Sequence, residues 1–172
     1  MIERIMPTWR MANLLTFVIC AAMMGYALYA EHVLELFPCP LCVFQRIAVI
    51  GLGAFSLLAA LHNPRGGGRY VYTLLSLVAA GFGIAIAGRH VWLQNLPPDQ
   101  VPSCGGASLD YMLDTLPLLE VFNKVLTASG ECAEVTWRFA TLSMPAWVLI
   151  GLIALALWVL LSAFAAKPAR TG

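Results

Sequence analysis

Charge is scarce in this chain. Lys, Arg, Asp and Glu make up 11% of its 172 residues, against about 25% in a soluble domain. That shortage excludes an ordinary water-facing surface for much of the sequence. The formal net charge of +1 leaves no basic footprint of the kind that holds nucleic acid. The C-x-x-C motif at Cys39 and Cys42 lacks a following histidine, because Val43 stands there. C-type haem attachment is thereby excluded. A second close cysteine pair is also missing, since 27 residues separate Cys104 from Cys132. A four-cysteine zinc site usually shows two close pairs, so no metal is expected.

What the chain has instead is apolar length, with hydrophobic residues at 60%. Four runs, at residues 11–29, 43–61, 70–88 and 146–164, each reach roughly 28 Å as helix, close to the thickness of a hydrocarbon core. Arg46 is the one charged residue inside them. The first run follows Arg4 and Arg10, as in a signal peptide. It is longer than an ordinary signal core and no small-x-small cleavage site follows, so it reads as a span. The expected fold is an all-α membrane protein, a single four-helix transmembrane bundle over residues 1–172.

Basic residues give the orientation. Arg4 and Arg10 precede the first run, Arg65 and Arg69 lie between the second and third, and Lys167 and Arg170 follow the fourth. By the positive-inside rule these regions, and both termini, are expected to be cytoplasmic. Residues 30–42 and 89–145 then form the outer loops, which in a bacterium face the periplasm. They hold eight of the nine acidic residues. The breaker-rich stretch His62–Arg69 suits a short inner turn. Trp9, Tyr26, Tyr29, Trp92 and Trp147 fall near run ends, where aromatic rings favour the headgroup level.

The second outer loop is too long for a plain connection. Within it Thr115 can cap, Pro117 suits a first turn and Gly130 stands past the end. Leu118, Leu119, Phe122, Val125 and Leu126 recur at helical spacing. A short helix is expected here, lying in the interface or packed on the bundle.

Of the five cysteines, Cys20 lies mid-span and is assigned no role. The other four all fall in the outer loops, two in each. The periplasm is a compartment where disulfides persist. A Cys104–Cys132 bond would close a long loop and restrict the unfolded chain by roughly 3–4 kcal/mol. A Cys39–Cys42 bond closes a small ring, removes only about 2 kcal/mol of unfolded-state freedom, and is strained. Strained or exposed disulfides are the labile ones. Pro38 and Pro40 stiffen the segment, and a helix is expected to begin just after Cys42. The sulfur of Cys42 would then sit at a helix N-terminus, where thiolate is favoured. Arg46, at i+4, shares that face. An arginine one turn inside a span is costly and points to function, against snorkelling as the bland alternative. A dithiol at this depth suits a lipid-soluble two-electron acceptor, and quinones fit.

Taken together, these residues resemble the DsbB family of bacterial inner-membrane thiol:quinone oxidoreductases. The resemblance spans essentially the whole chain: four spans, CPLCVFQR at residues 39–46, Arg89-His90, Cys104, ASGECAE at 128–134, and MPAW at 144–147. Relays of this family keep the bacterial periplasm oxidising. The resemblance implies that a thioredoxin-like, DsbA-like periplasmic dithiol protein attacks Cys104. Cys132 is then released to attack Cys39, and Cys42 is left as the thiolate that meets ubiquinone or menaquinone. It places Arg46 and His90 on the quinone side. On its own, an interfacial histidine is more often merely packed or solvated. Gln45 carries no expectation. A rival from another class is a non-enzymatic membrane scaffold with two structural disulfides and a partner-binding outer loop. A vitamin K epoxide reductase-like enzyme is a further rival, disfavoured because the first pair precedes the second span.

Overall fold

The computed structural model describes residues 8–64, 66–97, 100–101, 117, 120, 130–133, 135 and 137–165. Four helices within it are long and apolar enough to cross a membrane. They are α1 (Trp9–His32), α2 (Pro40–His62), α3 (Gly68–Gln94) and α4 (Met144–Ala165). A 3-10 helix, Gly130–Ala133, and a hairpin of β1 (Arg138–Phe139) and β2 (Leu142–Ser143) precede α4. The interfacial helix expected from Thr115 lies almost wholly outside the described residues. So do Cys104 and the basic residues Arg4, Arg65, Lys167 and Arg170.

Each helix is bounded by recognisable chemistry. Thr8 caps α1 by accepting from the Met11 N–H at 3.4 Å. The helix α2 starts earlier than expected, with Cys39 as its N-cap and Pro40 in its first turn. Proline is well suited there, because its φ is preset and its missing N–H is one that a helix start leaves unpaired. At its other end Asn63 takes a left-handed conformation with φ 42°, an ordinary C-terminal stop for asparagine. The helix α3 also outruns its apolar window and continues to Gln94. His90 and Leu93 are buried on it, so packing sustains the helix beyond Arg89.

The bundle packs α1 on α2, α2 on α3 and α3 on α4, with a lighter α1–α4 contact closing the ring. Large side chains such as Val18, Ile50, Val78 and Leu157 point outward, as lipid-facing residues should. The interior is made close by small residues. Cys20 meets Gly53 where a Cβ would lie 3.1 Å from its own. A Cβ at Gly83 would lie 2.7 Å from Leu152 Cδ1 and 2.9 Å from Ala48 Cβ. Two buried polar side chains of α1 return their donors to the helix. Asn13 donates to the Trp9 carbonyl at 2.8 Å and Thr16 to the Ala12 carbonyl at 3.0 Å. The Trp158 indole reaches from α4 to the Ala12 carbonyl at 3.3 Å.

The hairpin turns on Ala140 and Thr141, whose φ values of 48° and 70° match the twist a two-residue hairpin demands. Its anchors are specific. Ser143 Oγ donates to Gln94 Oε1 at 2.6 Å, tying the hairpin to the end of α3. The Trp147 indole donates to the Phe139 carbonyl at 3.1 Å. Trp137 meets Tyr26 of α1 edge-on at 6.0 Å between ring centroids.

The close approach at Gly83 generates a test. Gly83→Ala should lower the Tm of the detergent-purified protein, at an overpacking cost of about 1–3 kcal/mol. Leu152 can swing aside, but Ala48 Cβ is fixed to α2. Gly81→Ala meets nothing within 4 Å and should leave Tm unchanged or raise it slightly. Equal Tm values for the two variants would contradict this packing.

Candidate functional site

The site forms where the start of α2, the end of α3 and the 3-10 helix converge. Cys39 Sγ and Cys42 Sγ lie 3.1 Å apart. The Cys42 N–H donates to the Cys39 carbonyl at 2.9 Å, so Cys42 is inside the first helical turn rather than ahead of it. Its sulfur still lies at the positive end of α2. His90, buried on α3, reaches both sulfurs. Its Nε2 is 3.8 Å from Cys39 Sγ and its Nδ1 is 4.0 Å from Cys42 Sγ.

Gln45 was not singled out by its sequence context, yet it is buried and sits against His90. Its Nε2 lies 3.0 Å from His90 Nδ1. An amide N–H can only donate, so Nδ1 accepts and the imidazole proton sits on Nε2, facing Cys39. The signal available in the sequence was a polar residue three positions after Cys42 in an otherwise apolar run.

Cys132 arrives from the segment between α3 and α4. It is buried and packs with Leu41, Ile86 and Leu93, with Cys39 against the same cluster. The hydrogen bond from Cys39 holds the Cys132 thiol below its ordinary pKa, helped by the Leu41 backbone N–H and by His90. The same hydrogen bond to Cys132, together with one to Cys42 and burial, pushes Cys39 above the ordinary thiol range. Cys39 thus lies hydrogen-bonded between Cys42 and Cys132.

Arg46 departs from the simplest expectation. It shares the helix face of Cys42, but its guanidinium forms an ion pair with Glu31 of α1. A second N–H donates to the Ala27 carbonyl at 3.3 Å. Glu31 carried no signal of its own beyond lying at the end of a span. Cys42, Arg46 and His90 nevertheless line one cavity of about 150 Å³. Its walls are otherwise largely apolar, including Met23, Val49 and Val148. Of the six residues expected at the site, five meet here, and Cys104 lies outside the described residues.

Comparison with known proteins accords with this arrangement. The family model for disulfide bond formation protein DsbB matches residues 9–162. The chain belongs to the DsbB family. A disulfide bond formation protein B of Marinobacter nauticus is 52% identical over 156 residues, covering 89% of this chain and 92% of the relative. One of Xanthomonas euvesicatoria is 48% identical over 161 residues, covering 93% of each. One of Nitrosococcus oceani is 50% identical over 139 residues, covering 81% of this chain and 82% of the relative. With four helices able to cross a membrane, the chain is a multi-pass membrane member of that family.

The ion pair can be tested directly. A double-mutant cycle of Glu31→Gln and Arg46→Gln, read by thermal unfolding, should give a coupling of about 0.5–3 kcal/mol, as for other contacting pairs. Additive single effects would mean that the pair does not form.

Proposed function

We propose that this protein is a thiol:quinone oxidoreductase of the bacterial inner membrane. In this reading it reoxidises a DsbA-like, thioredoxin-like periplasmic dithiol protein and delivers the electrons to a membrane quinone, ubiquinone or menaquinone. Family membership supports the broader role in disulfide bond formation. The observation that carries the finer reading is the sulfur arrangement. Cys132 touches Cys39, Cys39 touches Cys42, and Cys42 opens on a largely apolar cavity at the head of a spanning helix.

The reaction then runs as a series of thiol–disulfide exchanges followed by one reduction. A partner thiolate attacks Cys104 of a Cys104–Cys132 disulfide and Cys132 leaves as thiolate. The partner's second thiol displaces Cys104, so the partner gains a disulfide. Cys132 attacks Cys39 of a Cys39–Cys42 disulfide, and Cys42 leaves as thiolate. Its lowered pKa suits Cys132 to attack, and the first turn of α2 favours Cys42 as leaving group. Cys104 then attacks Cys132, which re-forms the Cys104–Cys132 disulfide and releases Cys39 as a thiol. The Cys39/Cys42 dithiol gives two electrons and two protons to the quinone, which becomes quinol as the Cys39–Cys42 disulfide re-forms. His90, with its proton on Nε2, hydrogen-bonds the sulfur of Cys39. Arg46 offers donors to a quinone carbonyl from the cavity wall. The topology that goes with this chemistry puts both termini in the cytoplasm and the four cysteines on the periplasmic side.

Quinone reduction by purified protein, with a reduced thioredoxin-like periplasmic protein as donor, tests the scheme. Wild-type turnover should vanish in Cys42→Ser and in Cys104→Ser. Arg46→Ala should keep all thiols but raise the quinone KM roughly tenfold, as for one charged hydrogen bond of about 1.5 kcal/mol. Full turnover in Cys42→Ser would sink the mechanism. Absence of turnover with any quinone in folded wild type would favour a scaffold with two structural disulfides.

A further inference from the structure

We propose that the reduced site binds one thiophilic divalent cation, zinc or cadmium, through Cys39, Cys42 and His90. The sequence argued against metal because no second close cysteine pair accompanies Cys39 and Cys42. The fold supplies a third ligand of another kind. His90 comes in on α3, and one ligand atom from each of Cys39, Cys42 and His90 lies within 4.8 Å of the others.

The distances are near those a tetrahedral ion requires. Zinc–sulfur bonds of about 2.3 Å and a zinc–nitrogen bond of about 2.0 Å place sulfurs about 3.8 Å apart and sulfur and nitrogen about 3.5 Å apart. Cys39 Sγ is 3.8 Å from His90 Nε2, whereas Cys42 Sγ faces Nδ1 at 4.0 Å, so the ring must also turn to aim Nε2 between the two sulfurs. The Cys39–Cys42 separation of 3.1 Å must open by about 0.7 Å to meet that geometry. Cys39 is the N-cap, outside the helical ladder, so a side-chain rotation suffices. The fourth position is open to water or to Cys132, which packs beside Cys39 but stands outside the group formed by the other three ligand atoms. Two sulfurs and one imidazole select a soft ion over magnesium or calcium.

Gln45 completes the arrangement. For Nε2 to bind a cation, the imidazole proton must move to Nδ1. The Gln45 amide, 3.0 Å from Nδ1, then turns its oxygen to accept it. Ligating histidines use such a partner to fix their orientation.

Binding transfers no electrons. Each thiol that ligates loses its proton to solvent, and the cation takes the thiolate. A disulfide has no thiolate to offer, so the oxidised protein does not bind in this way. The cation therefore traps the reduced state and blocks its reoxidation. That consequence rests on the oxidoreductase reading, whereas the binding itself needs only reduced thiols.

The test uses full-length protein in detergent, reduced with a phosphine, desalted without oxygen and titrated with Co²⁺. Neither quinone nor partner protein is present. The expected result is one equivalent of tetrahedral cobalt with thiolate-to-cobalt charge-transfer absorbance, displaced by one equivalent of Zn²⁺. Protein with its cysteines oxidised should show neither band. The Cys39→Ser/Cys42→Ser double variant should lose the signal, and His90→Gln should weaken binding at least about tenfold. Circular dichroism confirms that each variant is folded. Zn²⁺ should also protect Cys39 and Cys42 of the wild type from alkylation, as mapped by mass spectrometry, which needs no variant. Folded, reduced wild type without the charge-transfer band overturns the proposal, as does a band that persists in the double variant. Quinone turnover is scored separately. Metal binding without turnover supports this site and counts against the oxidoreductase reading; turnover without metal binding does the reverse.

Discussion

The start of α2 is the constraint on which the site depends. Pro40 sets the first helical φ and gives up an N–H that the helix could not pair. Cys39 is thereby left as the N-cap, and Cys42 follows one turn in. A C-x-x-C in open coil could hold its sulfurs in many arrangements. Here helical geometry brings them together, and the positive end of α2 lies beneath Cys42. Each other component is placed relative to that helix end: His90 from α3, Glu31 from α1, and Cys132 from the 3-10 helix. Shifting the helix start by two residues would put the cysteines on different faces and undo these contacts together.

The bundle keeps that end in place by close packing rather than by a hydrophobic drive, since lipid is as apolar as the core. The contact of Gly83 with Ala48 sets how near α3 runs to α2, and so how near His90 comes to the sulfurs. Beyond the spans the hairpin has a similar task. Ser143 binds Gln94 at the end of α3, and Trp137 leans on Tyr26 of α1. These anchors hold the chain before α4 over the end of the bundle, where Cys132 packs against Cys39. Two loops far apart in sequence thus meet at one sulfur.

The four-helix membrane fold was legible because its signal is coarse: apolar runs of spanning length with Arg46 as their one charge. The ends of α2 and α3 were less so. Composition marks where hydrophobicity begins, whereas Pro40 capping and the burial of His90 and Leu93 set where the helices begin and end. The cysteine pairs were visible through spacing and family resemblance. Gln45 and Glu31 were not, because their roles arise from contacts between helices. Gln45 looks like one polar residue in an apolar run until α3 brings His90 beside it. Glu31 looks like a surface acid until α2 brings Arg46 to it.

The Glu31–Arg46 pair shows why such contacts matter to the chemistry. A guanidinium one turn inside a span cannot stay unpaired without a large desolvation cost. Glu31 offsets that cost and, in doing so, fixes the direction of the fork. Arg46 directs one N–H to Glu31 and another to the Ala27 carbonyl. A guanidinium has five donors, so the fork retains capacity toward the cavity it lines with Cys42. Its charge is held and partly neutralised before any acceptor arrives. An anion developing in the cavity gains from that charge without first having to order the side chain, which is the advantage of preorganised electrostatics. Glu31 therefore fixes the guanidinium while leaving its field available to the cavity, a consequence of the contact between α1 and α2.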